Sequence, residues 1–189
     1  MLNSFQNIDI KLLYFINTYL SFPLLDRIMT IITQIGNGGI VWIMFSIYLI
    51  HSTNYRMEGY MVIISLVLTA IIGEGIIKHL IRRARPFIKI NQRALLISMP
   101  ITYSFPSGHA ASSFAVAGVF IIMNSDISIY ITILASLIAF SRLYLNVHYP
   151  SDVLTGMLLG LLCSTVVCNV FNTVSFRALV VLLKSKNFG

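Results

Sequence analysis

Acidic residues are scarce in this chain: six Asp and Glu stand against thirteen Lys and Arg in 189 residues. No carboxylate cluster is present to hold paired ions, which argues against a two-metal mechanism and calls for no cofactor. Charge of either sign is thin, at 10% of residues. A soluble domain carries about 25%, so an ordinary soluble enzyme is excluded. Cysteine is almost missing. Cys163 and Cys168 share one hydrophobic run and read as packing residues rather than as a disulfide framework or metal ligands. The first residues lack a basic stretch followed by a clean apolar core and a small-residue cleavage site, so no cleavable signal peptide is expected. There is no internal repeat and no low-complexity segment. The net charge of +7 comes without an exposed basic helix or an aromatic-basic module. Nucleic acid is therefore not the expected partner, and an anionic lipid headgroup in a bilayer is.

What the chain has in abundance is apolar surface, with 57% hydrophobic residues and a mean hydropathy of +0.86. This predicts an all-α membrane bundle of about six transmembrane helices in a single domain over 1–189. Residues 8–22 are aromatic and amphipathic, and 1–27 form either an interfacial helix or a short first span. Pro23 and Asp26-Arg27 mark a break. Residues 28–50 are apolar but interrupted by Gly36-Asn37-Gly38-Gly39, which predicts a kink. A polar loop at 51–58 precedes a long span over 59–81. The longest loop covers 82–107, two spans at 108–123 and 127–145 turn near Asn124-Ser125-Asp126, and 152–172 is the last clear span. The core is thus 28–172, and 173–189 form a tail with Arg177, Lys184 and Lys186. Gly156 and Gly160 give the last span a small-xxx-small spacing, read as close packing inside the bundle rather than as a dimer face.

Three polar blocks interrupt this oily background. They are Lys78-His-Leu-Ile-Arg-Arg-Ala-Arg85-Pro86, Pro106-Ser107-Gly108-His109, and Ser141-Arg142 with His148 and Asp152. The first ends the 59–81 span and the second opens the 108–123 span, so both lie at one membrane face. The chain then crosses away and returns, which brings the 141–152 loop to the same face as the 82–107 loop. Sidedness is contested by charge. This face carries Arg82, Arg83, Arg85, Lys89, Arg93 and Arg142, while the other carries mainly Arg56, Arg177, Lys184 and Lys186. The positive-inside rule would put the blocks in the cytoplasm, but cations that bind a ligand cannot also serve as topology signals.

Lys78, Arg85 and Arg142 are costly as isolated charges at membrane depth, and three at one face imply a polyanionic ligand. Arg offers a planar fork for phosphate oxygens and Lys a compact point charge. Arg82, Arg83, Lys89 and Arg93 read as cations snorkelling from a helix end. Ser107 is placed to cap the helix that follows, Gly108 lets backbone approach a ligand, and the free N–H groups of the first turn favour an anion. An Asp at 152 is placed to accept a hydrogen bond from one nitrogen of His148, leaving the other as a nucleophile. Glu74 stands four residues before Lys78 and reads as the charge partner that makes a buried Lys78 tolerable. His79 and His51 are assigned no chemistry. Tyr103, Tyr144 and Tyr149 are expected at the membrane interface.

Lys78-x6-Arg85-Pro86, Pro106-Ser107-Gly108-His109 and Ser141-Arg142-x5-His148-x3-Asp152 together resemble the three-part signature of the type 2 phosphatidic acid phosphatase superfamily. The blocks span 78–152, and the hydrophobic layout is similar to bacterial membrane members over most of the chain. Soluble haloperoxidases and acid phosphatases share the signature but not the apolar spans. The resemblance implies a metal-independent lipid phosphatase in which His148 attacks phosphorus, Asp152 orients it, and His109 serves as general acid and base. It also implies that Lys78, Arg85, Ser107, Gly108 and Arg142 hold the phosphate, and that the site faces the extracytoplasmic side of a bacterial cytoplasmic membrane. Phosphatidylglycerophosphate, undecaprenyl pyrophosphate, phosphatidic acid and diacylglycerol pyrophosphate all present a suitable terminal phosphate. A phosphotransferase using the same phosphohistidine, or a non-catalytic lipid-binding protein on the same fold, are the other readings of the resemblance.

Overall fold

A computed structural model describes residues 2–89 and 95–173, with side chains described for 6–88 and 95–173. The Lys89 side chain, Arg93 and the tail cations Arg177, Lys184 and Lys186 lie outside the described residues. Among the described residues the only regular structure is helical. The order is α1 (Leu2–Tyr19), α2 (Pro23–Ile35), α3 (Ile40–His51), α4 (Arg56–Ala70), α5 (Lys78–Ile81), α6 (Pro86–Lys89), α7 (Gly108–Ile122), α8 (Ser128–Tyr144) and α9 (Pro150–Asn172). A π-helical turn over Ile71–Ile77 joins α4 to α5 without a break in direction, and a 3₁₀ turn over Asn37–Gly39 joins α2 to α3.

The helix ends follow local chemistry. Pro23 and Pro150 each open a helix after an extended residue, because proline at the first helical position gives up an N–H that has no partner there anyway. Pro23 therefore starts α2, and Asp26-Arg27 fall in its first turns instead of in a break; the interruption lies just before, at 20–22. The expected kink is present. Gly38 and Gly39 adopt left-handed backbone at φ 59° and 68°, a region glycine enters without a Cβ penalty. Arg82 stops α5 in the same region at φ 48°, and Asn124 turns the chain between α7 and α8 at φ 50°.

By length and composition, three helical stretches are able to cross a membrane: Pro23–His51, Arg56–Ile88 and Pro150–Asn172. Gly108–Ile122 and Ser128–Tyr144 are apolar but shorter. The all-α membrane bundle is as expected, while the count of six spans is not reached by this criterion: α7 and α8 have 15 and 17 residues, and α1 is not among the stretches that meet it. The bundle is organised around α7, where Ala115, Val116, Ala117, Val119 and Phe120 are fully buried. Its main partner is α9. A β-carbon on Gly156 would meet Ala110 and Ala111, and one on Gly160 would meet Ala115 N at 2.6 Å. Both glycines therefore serve packing within the bundle. Cys163 and Cys168 are buried and free of disulfide, as read from their setting.

α1 is a packed helix rather than a loose surface one. Leu13 is fully buried, Asp9 is 4% exposed, and the helix contacts α8 and α9. Tyr144 and Tyr149 are each 1% exposed, contrary to the interfacial placement, whereas Tyr103 is 39% exposed. The reason is that each buried ring has a polar partner: the Tyr144 hydroxyl donates to Asp26, and the Arg83 guanidinium lies 3.9 Å above the Tyr149 ring.

Candidate active site

The three blocks converge, as the crossing count requires. Lys78, Arg85, Gly108, His109, Arg142 and His148 line one cleft of about 1160 Å³. Ser107 and Asp152 are fully buried beside it, tied together by Ser107 N–H to Asp152 O at 3.0 Å.

The π-helical turn sets the first block. Lys78 N–H reaches back five residues to Gly73 O. Such turns widen a helix locally and recur at functional sites. Gly73 rests on Leu159 of α9 and on Pro106, which fixes the first block against the second. Lys78 Nζ is 2.6 Å from both Glu74 carboxylate oxygens, the ion pair expected from their spacing. Glu74 also reaches over the Cα of Gly108, where any β-carbon would collide with its carboxylate. A side chain at 108 would thus displace the Glu74 carboxylate.

Ser107 occupies the residue before α7 in extended backbone, but it makes no side-chain cap. Its hydroxyl is buried and without a partner, so the capping role expected of it is not seen. A buried, unpaired hydroxyl is costly and awaits a ligand or water. Arg142, 3% exposed, donates from Nη1 to Thr33 and leaves Nε unpartnered. Arg85 is held rigidly by Thr102 O, Val147 O and Tyr103 O.

His148 is 2% exposed, and its two nitrogens are distinguishable. Arg85 Nη1 lies 3.1 Å from Nε2. Guanidinium has donors only, so Nε2 must accept and carries the lone pair, and the proton sits on Nδ1. Nδ1 faces Ser104 Oγ at 3.5 Å and Asp152 Oδ2 at 3.7 Å. The latter distance exceeds a hydrogen bond. Oδ2 is already occupied, accepting from the Ser104 hydroxyl and from Tyr149 N–H at 2.9 Å. Burial pushes the His148 pKa down to about 3; Asp152 opposes the fall, and Arg142 and Arg85 add to it. The imidazole is therefore neutral at ordinary pH. His109 lies opposite, with Nε2 3.0 Å from Asn37 Oδ1.

Arg83 corrects the reading of first-block bystanders. Its Nη1 donates to Asp152 Oδ1 at 2.6 Å and to Ser151, and its Nη2 to Asp9 Oδ2 at 2.6 Å. Arg83 thus fixes Asp152 from the side away from His148, while Arg82 is exposed and bonds only its own helix end. Asp9 also accepts from Ser151 N–H and hydroxyl. Sequence reading missed Ser104, Asn37, Thr33 and Asp9. The one available signal was Asp9 itself, a rare acid in an apolar amphipathic helix. His51 and His79 bond backbone carbonyls of their own segments, consistent with no assigned chemistry.

A neutral imidazole whose Nε2 lone pair meets an arginine, a second histidine and three cations at a helix start form a set for handling a phosphate. Comparison with known proteins agrees. The chain is 34% identical to an undecaprenyl-diphosphatase of Sulfolobus acidocaldarius over 159 residues, 82% of this chain and 75% of that protein. It is 31% identical to a lipid A 4'-phosphatase of Bacteroides thetaiotaomicron over 175 residues, 85% of this chain and 75% of the relative. The crystal structure of Aquifex aeolicus LpxE superposes with a TM-score of 0.73 at 27% identity, covering 85% of this chain and 94% of that one. A transmembrane PAP2-type phosphatidylglycerolphosphate phosphatase from Bacillus subtilis shares the fold at a TM-score of 0.75 and 24% identity, over 91% and 88% of the two chains. Residues 59–176 match the PAP2 superfamily, and this stretch holds all three blocks. With its apolar helices and a site built at one end of the bundle, the chain is an integral membrane protein that belongs to the PAP2 superfamily.

Proposed function

We propose that this protein is a membrane-lipid phosphatase that removes a terminal phosphate through a phosphohistidine at His148. The observation that carries the reading is a neutral His148 whose Nε2 accepts from Arg85 in a cleft lined by Lys78, Arg85 and Arg142, so that Nε2 is released when Arg85 turns to a phosphate. Nε2 attacks phosphorus, the bond from phosphorus to the leaving oxygen breaks, and that oxygen takes a proton from His109, which enters the step as imidazolium beside the bound phosphate dianion and leaves it neutral. His109 then removes a proton from water, the water oxygen attacks phosphorus, the P–N bond breaks, and inorganic phosphate departs. His148 returns to its neutral form.

The remaining groups stabilise charge. Lys78, Arg85, Arg142, the Ser107 hydroxyl and the Gly108 N–H would contact the equatorial oxygens, where preorganised donors matter most. The unpaired Ser107 hydroxyl and Arg142 Nε support this. Lys78 must be released from Glu74 to join them. Asp152, braced by Arg83, takes the Ser104 hydroxyl proton and leaves the Ser104 oxygen facing the proton on His148 Nδ1, so it orients His148 through Ser104.

The two curated relatives act on a polyprenyl diphosphate and on lipid A, and we favour undecaprenyl pyrophosphate or phosphatidylglycerophosphate here. We place the site on the extracytoplasmic side of a bacterial cytoplasmic membrane, following the family resemblance against the charge count. Detergent-purified protein is expected to release phosphate in EDTA from one or more of phosphatidylglycerophosphate, undecaprenyl pyrophosphate, phosphatidic acid and diacylglycerol pyrophosphate. His148→Ala should lower turnover by about 10⁴-fold or more, as loss of a nucleophile does. Undiminished turnover in that variant would remove His148 from the mechanism.

A further inference from the structure

The break at Gly36–Gly39 is costly, because irregular backbone inside a membrane-spanning segment forgoes helical hydrogen bonds. Such breaks are tolerated where they line a cavity, and this one lines the cleft. The break also packs on His109 and Ile138. Gly36 lies against the His109 ring, and a β-carbon there would come within 2.8 Å of His109 Cδ2. One residue on, Asn37 Oδ1 lies 3.0 Å from His109 Nε2. The Thr33 carbonyl faces the same ring. A steric stop and a hydrogen-bond acceptor from one short segment thus clamp His109.

We propose that Asn37 is a positioning residue for proton transfer by His109. The amide oxygen accepts from Nε2–H and so fixes the tautomer and the ring orientation. Nδ1 is then the working nitrogen: in the imidazolium it carries the proton given to the departing oxygen, and in the neutral tautomer that remains its lone pair takes one from water. Gly38 and Gly39, left-handed at φ 59° and 68°, follow Asn37 directly and kink the chain beside the ring.

This inference rests on the assignment of His109 as the acid, and it has a signature of its own. A positioned acid matters most when the leaving oxygen is a poor leaving group. A lipid alkoxide needs the proton, whereas 4-nitrophenolate leaves without it. The general acid supplies about 10²–10⁴-fold. Asn37→Ala is therefore expected to lower kcat on phosphatidic acid by about tenfold or more, with little change in KM, and to lower turnover of 4-nitrophenyl phosphate by less than about threefold. Asn37→Asp keeps an acceptor at the same place and should recover most of the lost kcat on phosphatidic acid.

The measurement is steady-state kinetics of full-length wild type, Asn37→Ala, Asn37→Asp and His109→Ala in the same detergent micelles. Retained 4-nitrophenyl phosphate turnover or an unchanged melting curve reports that a variant is folded. Equal losses on both substrates, a change confined to KM, or an Asp variant no better than Ala overturns the positioning role. His109→Ala with full phosphatidic acid turnover overturns the acid assignment itself. His109→Ala impaired beside a fully active Asn37→Ala overturns the Asn37 inference alone.

Discussion

His148 offers a neutral imidazole because a buried charge at this spot would face two guanidinium groups. Its ordinary pKa is near 6.5, and burial lowers it to about 3. This ties stability to pH with a definite sign. As pH falls below about 6.5 the unfolded chain binds a proton at His148 while the folded chain does not until about pH 3. The unfolded state gains, so the stabilisation is complete above about 6.5 and is lost progressively down to about 3. The melting temperature in detergent should fall through that window, and His148→Asn should show a shallower fall. An identical slope in both proteins would contradict the assignment. Single residues also mark where sequence reading failed. Arg82, Arg83 and Arg85 stand within four positions, yet Arg83 braces Asp152, Arg85 faces His148 and Arg82 is exposed. Nothing in a run of arginines separates them, since their roles depend on which side chain the opposite helix presents.

At the scale of elements, the site depends on contacts that cross the bundle. α1 lies outside the stretch that matches the superfamily, yet its Asp9 ties Ser151 at the start of α9 to Arg83 in the loop after α5. Removing it leaves the Ser151 N–H without this partner and Arg83 with one carboxylate instead of two. Asp9→Ala is expected to cost about 1–3 kcal/mol, the range for hydrogen bonds to charged groups, and to loosen Asp152. Asp9→Asn, which still accepts from Ser151, should cost less. Thermal unfolding with phosphate release on the same samples checks this; an Asp9→Ala protein as stable and active as wild type would mean that α1 is not part of the scaffold. The element boundaries themselves were mostly legible. The spans at 108–123, 127–145 and 152–172 fall within two residues of α7, α8 and α9. The π-helical turn at 71–77 was not legible, because seven residues span too few turns for their pattern to separate α from π geometry.

At the scale of the whole molecule, three cations and a helix start meet at one end of an otherwise apolar bundle. An anion that fits there binds the folded state alone and must stabilise it. Inorganic phosphate, the proposed product, should raise the melting temperature in a saturable manner, by about 2.7 kcal/mol at a hundredfold excess over Kd. The shift should shrink in high salt, which screens the cleft, and vanish in Arg142→Ala. A phosphate effect of equal size in that variant would place the anion elsewhere.

The sequence by itself determined the membrane bundle, the convergence of the three blocks and the family. Hydrophobic spans fix the number of crossings between polar segments, and crossings fix which segments share a face. Residue types also announced phosphate chemistry, since few ligands explain buried Lys, Arg and His together in an oily chain. The tertiary structure alone decided which nitrogen of His148 carries the lone pair, that Ser104 stands between His148 and Asp152, that Arg83 is structural, and that Asn37 holds His109. Each of these is a contact between residues from 44 to 74 positions apart. Such contacts leave no local pattern in the chain, because helix packing and not spacing along one helix brings the partners within hydrogen-bond distance.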